Sequence, residues 1–199
     1  DIDAGLLTAW LDTTATFRGK LTFTAQVTGA TYSPHAAVSL EISGGGVANA
    51  TFDAMYGLFV LDKGNINVNQ LMVTKGPHRA SAYGNVPLAA LNREGRARGT
   101  IADHMDLKVR LEQADLSILP LLTGEVAWAT GETKGEITIG GTLAQPLLNG
   151  SVVVKDGTVK LKALAEPIQK VGVDIQFEDD KINVIAFDGS MGGGAYRLT

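Results

Sequence analysis

The sequence predicts an all-β protein built as an elongated antiparallel sheet, and three observations carry that class. Apolar and polar residues alternate along most of the chain, the period of strands with one buried face. Turn-forming residues separate the alternating rows at short intervals. Helical spacing is confined to two short stretches, and sheets joined by tight turns must be antiparallel.

Composition supports a folded chain and removes several functions. The 199 residues are 45% hydrophobic and 19% charged, with a formal net charge of −4. That is too apolar and too weakly charged for disorder, and the length suits one domain or two small ones. The chain has no Cys, so a disulfide scaffold, a thiolate metal site and a cysteine nucleophile are excluded. His35, His78 and His104 leave little for metal chemistry, and neither a metal nor a cofactor is expected. With 17 Lys and Arg against 21 Asp and Glu, the basic face of a nucleic-acid binder is not expected. No apolar run approaches the ~18 to 20 residues of a membrane-crossing helix. The start at Asp1 and a final strand-like Ala195 to Thr199 point to a segment of a longer chain.

Taken in order, Asp3 to Leu11 comes first. Leu6, Leu7, Trp10 and Leu11 recur at helical spacing behind Asp3, which can cap a helix. The rows Leu21-Phe23-Ala25-Val27 and Val38-Leu40-Ile42 then read as strands, followed by turn signals at Gly44 to Gly46 and Asp62 to Asn65. After Leu107-Val109-Leu111, a second helical stretch is expected from Asp115 to Leu122, kept short by Pro120. Ile137-Ile139, Val152-Val154, Val159-Leu161 and Val171-Val173-Ile175-Phe177 complete the rows. Lys155-Asp156-Gly157 and Glu178 to Lys181 offer the positive φ of tight hairpins. About fourteen strands ~4.8 Å apart would make a sheet of roughly 65 Å.

The chain repeats itself. Asp3, Leu7, Gly19, Gly29, Pro34, Ser39, Gly45 and Val47 are matched 112 positions later by Asp115, Leu119, Gly131, Gly141, Pro146, Ser151, Gly157 and Val159. Ile66-Asn67-Val68 returns 116 positions on as Ile182-Asn183-Val184, which implies a four-residue insertion. The expected organisation is a first β-repeat with its short helix over 1–88, connecting strands over 89–112 and a second β-repeat over 113–199, in one continuous sheet. A stacked repeat must bury its apolar face. Aromatics are only 6% and Gly lies within strands, where it marks bends or close approaches. A closed core and an open trough both satisfy that pattern.

The second copy carries a resemblance. Gly135-Glu-Ile-Thr-Ile-Gly-Gly141-Thr-Leu-Ala-Gln-Pro146-Leu-Leu-Asn-Gly150, continuing through Asp156-Gly157 to Leu161, resembles the recurring element of the TamB family, the large subunit of the translocation and assembly module. Asp188 to Tyr196 is similar to that family's glycine-rich strand start. The first copy keeps the Gly-x4-Pro element but has His35-Ala36-Ala37-Val38 where the second has Leu147-Leu148-Asn149-Gly150. The resemblance implies an AsmA-like, bridge-type lipid transfer protein, a β-taco. Such a protein is anchored in the inner membrane of a diderm bacterium and crosses the periplasm as an open trough with a greasy interior. It also implies a TamA-like outer-membrane barrel partner and phospholipid acyl chains as cargo. On that reading, Leu40, Ile42, Val60, Val109, Ile139, Val154, Leu161, Val173, Ile175 and Val184 are expected to line the groove. The alternative client is an unfolded outer-membrane protein, such as an autotransporter, captured at a sheet edge.

Other features read more plainly. An enzyme is not expected: His104 and Asp106 could form a relay, but no nucleophile stands near them in sequence. The glycine clusters at 44–46 and 192–194 do not join a strand to a helix as phosphate loops do. Trp10 and Trp128 read as packing residues, and Arg93, Arg96 and Arg98 as a solvated connector.

Overall fold

A computed structural model describes residues 2–5, 17–30, 33–47, 50–88, 104–118, 125–142 and 145–198. Within them, twelve strands follow one another in chain order and each pairs antiparallel with the next. They are β1 (Ile2–Asp3), β2 (Phe17–Ala30), β3 (Ser33–Val47), β4 (Ala50–Asp62), β5 (Asn65–Lys75) and β6 (His78–Pro87). β7 (Asp106–Asp115), β8 (Val126–Gly141), β9 (Pro146–Leu161), β10 (Ile168–Asp179), β11 (Lys181–Met191) and β12 (Gly194–Leu198) continue the series. β1 and β12 are the two ends of the order and do not pair, so the sheet is an open trough and not a barrel. The twelve described strands span roughly 50 Å at ~4.8 Å spacing.

The tight turns form where the chain can adopt positive φ. Lys63 and Gly64 do so between the opposed Asp62 and Asn65, and Asp179 does so between the opposed Glu178 and Lys181. The expected hairpin at Lys155-Asp156-Gly157 is absent. Asp156 has φ 49°, but it sits inside β9, where Lys155 opposes Glu132 and Thr158 opposes Thr130. Gly44, with φ 55°, occupies the same place inside β3. Both are β-bulges: the positive φ adds a residue and a bend, and pairing then resumes.

The repeat is visible in the register. Leu21 opposes Ile42 and Gly29 opposes Pro34 in the first copy; Thr133 opposes Val154 and Gly141 opposes Pro146 in the second. Asp3 opposes Lys20 as Asp115 opposes Glu132. The inserted residues fall between β9 and β10, over 162–167, where the first copy has only 48–49 between β3 and β4. β7 pairs with both β6 and β8 and so joins the copies into one sheet.

Only the first few residues of each expected helical stretch are described, and there they form a strand end with a turn or a 3-10 turn in place of α-helix. Asp3 ends a strand and is followed by a turn at Ala4 and Gly5, while residues 6–11 lie outside the described residues. Leu116–Ile118 makes a single 3-10 turn, started by the Asp115 carboxylate, which accepts the Ser117 N–H at 2.8 Å. Residues 119–122 lie outside the described residues, as do Trp10 and the Arg93, Arg96 and Arg98 cluster.

Candidate functional site

Side chains alternate faces along a strand and residues opposed across strands share a face, so the register sorts the sheet into two surfaces. One row runs from β2 to β11 through Leu21, Ile42, Met55, Val73, Ala80, Leu111, Gly135, Val152, Ile175 and Val184. None of these has a polar side chain. The row beside it, Phe23, Leu40, Gly57, Leu71, Ala82, Val109, Ile137, Gly150, Phe177 and Ile182, is equally apolar. A third passes through Val38, Phe59, Val68, Gly84, Leu107, Ile139 and Leu148 and reaches its first charge at Asp179.

The reverse face has the opposite character. Its matching row is Thr22, Glu41, Tyr56, Met72, Ser81, Arg110, Glu136, Ser151, Gln176 and Asn183. Arg110 Nε donates to Glu136 Oε2 at 2.7 Å, and its guanidinium lies 5.4 Å from the centre of the Tyr83 ring. The hydrogen bond to Glu136, then the charges of Tyr83 and Glu136, hold the Arg110 pKa above its ordinary value.

Two clusters anchor the apolar face. Ala4, Leu21, Ile42 and Phe52 are buried together at one end, with Ile42 fully buried. Val126, Ala129, Val159 and Val171 form the second, against which Leu116, Leu161, Ile168 and Val173 pack. Between them Met55, Leu71, Val73, Val109 and Ile137 are half-buried, while Val68 and Leu111 are buried. Among the described residues, extensive packing joins only neighbouring strands, together with the 3-10 turn against β8; no second sheet of described strands lies against the rows. Thr133 is the one buried polar side chain of the described residues, and its hydroxyl donates to Gly131 O at 3.2 Å.

Register places Leu40, Ile42, Val109, Ile139, Val154, Leu161, Val173, Ile175 and Val184 on this apolar face. Ile42 and Val154 are buried, Val184 is 56% exposed near the β12 end, and the other six are half-buried. Val60 is a correction: it opposes Ala37 and Asn67 and lies on the polar face. The run Leu58-Phe59-Val60-Leu61 is apolar at both parities, so alternation carries no signal there and the pairing partners decide. The same loss of contrast hid Met55, Val73 and Leu71; for Leu71 an added residue at Asn69 also shifts the parity. Trp128 is a second correction. It opposes Lys160 on the polar side and is 45% exposed, so it does not pack in a core.

No family model, curated protein or solved structure matches this chain.

Proposed function

We propose that the chain is a segment of a TamB-like, AsmA-like bridge whose trough binds phospholipid acyl chains between inner and outer membranes, and that it works as a conduit and not as a catalyst. The observation that carries this reading is the unbroken apolar row from Leu21 to Val184, crossing ten strands on a face with no opposing layer among the described residues. An acyl chain gains ~0.8 kcal/mol per buried CH₂. Burial is similarly favourable in a bilayer and in a greasy trough, so transfer between them is close to neutral. The resemblance of Gly135 to Leu161 to the family element supplies the periplasmic setting and the barrel partner.

The reading predicts that phospholipid co-purifies with the chain and is detected by mass spectrometry. A photocrosslinker at Ile175 should give lipid adducts, while one at Glu136 on the polar face should not. Adducts at both positions or at neither would reject the groove.

One observation favours a second client. Along Phe23–Ala30, β2 carries no charged residue, and no described strand pairs with its outer side there, since β1 reaches only Lys20 and Leu21. Uncharged edges accept added strands, which suits capture of an unfolded outer-membrane protein. A crosslinker at Thr28 that traps outer-membrane precursors, with no lipid at Ile175, would select this reading over the first.

A further inference from the structure

The apolar face accounts for neither the residues nor the shape of one place on the polar face. There, Val60, Asn67, Asn85 and Asp106 stand opposite one another across β4, β5, β6 and β7. Together with Asn69 and Tyr83 they line an open depression of ≈ 550 Å³, within the range of about 300 to 1,000 Å³ usual for small-ligand clefts. Two backbone features shape it. Asn69 is an added residue relative to β4, since Leu58 opposes Gln70 while Phe59 opposes Val68. Such bulges re-aim side chains and are frequent beside functional sites. Gly84 has φ 140°, and a Cβ there would overlap the Asp106 carbonyl, so only glycine lets β6 and β7 approach at the floor.

We propose that this depression binds a neutral saccharide. The lining groups select that chemistry by elimination. No Lys or Arg lines it, and Asp106 would repel a phosphate. A single carboxylate is too little for a divalent cation, and no cluster of three metal-ligating side chains occurs among the described residues. Each strand there already has a partner on both sides, so an added peptide strand has no edge to use. Three carboxamides, each both donor and acceptor, with one acceptor carboxylate and an aromatic ring, match a ligand rich in hydroxyls.

Two details show preorganisation and unmet demand. The Tyr83 ring is held by Arg110, itself fixed by Glu136 at 2.7 Å. Asn85 Nδ2 makes only a long 3.4 Å bond to Asn67 Oδ1, and Asn85 Oδ1 is buried with no hydrogen-bond partner. A buried acceptor without a donor is costly, and a ligand hydroxyl that reorients the Asn85 amide would supply the donor.

The test is NMR titration of the chain with maltotriose, cellotriose and chitotriose at millimolar concentration, reading the side-chain amides of Asn67, Asn69 and Asn85. At least one sugar is expected to shift these signals saturably, with Asp106→Ala and Asn85→Ala each weakening binding at least tenfold. If Asn85→Ala fails to fold, Asp106→Ala carries the comparison, because Asp106 is exposed. Silence with all three sugars overturns the proposal. So does unchanged affinity in Asp106→Ala, or a response of these amides to inorganic phosphate or calcium alone.

Discussion

Asp115 shows how much one carboxylate can organise. Its Oδ1 accepts the Ser117 N–H at 2.8 Å and its Oδ2 the Gly131 N–H at 3.0 Å, while His78 Nε2 stands 3.7 Å away. It therefore ties the end of β7, the 3-10 turn and β8 together. In the other copy Asp3 Oδ1 accepts the Gly5 N–H at 2.6 Å, the same local turn 112 residues earlier. Burial alone would raise the Asp115 pKa, but the bonds from Gly131 and Ser117, with His78, hold it below its usual 3.8. A carboxylate depressed in the folded state contributes stability that is fully present above its unfolded pKa and is lost as pH falls through the folded one. Asp115→Asn should therefore lower Tm at neutral pH and flatten its fall below about pH 4. Thermal melts across pH would check this, and parallel curves for the two proteins would refute it. The candidacy of Asp3 and Asp115 as caps was legible from their type and spacing; that each closes a turn at a strand end was not, because a single Asp caps many kinds of turn.

Strands owe their bends to a few glycines. Gly19 and Gly131 have φ 121° and 146°, and a Cβ on either would approach the facing Cα of Gly45 or Gly157 to 2.8 and 2.6 Å. Strain and overlap act together there, so Gly131→Ala should destabilise by more than about 1 kcal/mol. Chemical denaturation would show this as a lowered midpoint. Gly44 differs, because nothing lies within 4 Å of its Cβ position and Asp156 adopts the matching conformation in the second copy. Gly44→Asp should thus cost less than about 1 kcal/mol, and a loss as large as that of Gly131→Ala would overturn the equivalence of the two bulges. Face assignment makes a further prediction at this scale. Val60→Glu puts its charge on the polar face and should leave lipid co-purification intact, whereas Ile175→Glu should abolish it with the β signal retained. Equal lipid loss in both variants would refute the sorting of faces.

At the scale of the whole molecule, a single-layer sheet with one apolar face can persist only where that face is concave, shared with cargo or covered by further chain. Its stability then depends on what occupies the trough. On the proposed function, removing lipid from the trough should lower Tm, since a ligand bound only by the native state stabilises it; a Tm unchanged by delipidation would argue that the lining is sealed. The alternation, the 112-residue repeat and the four-residue insertion could all be read from the residues, since side-chain period and turn chemistry are local properties. They determined an antiparallel β architecture and the shared face of nine of the ten named positions. Only the tertiary structure decided the rest. Whether Asp156-Gly157 reverses the chain or bulges it depends on which strand lies alongside, and Val60 faces outward because Ala37 and Asn67 flank it. That the sheet stays open follows from β1 and β12 remaining apart, a non-local outcome of twist and register summed over twelve strands that no short stretch of sequence encodes.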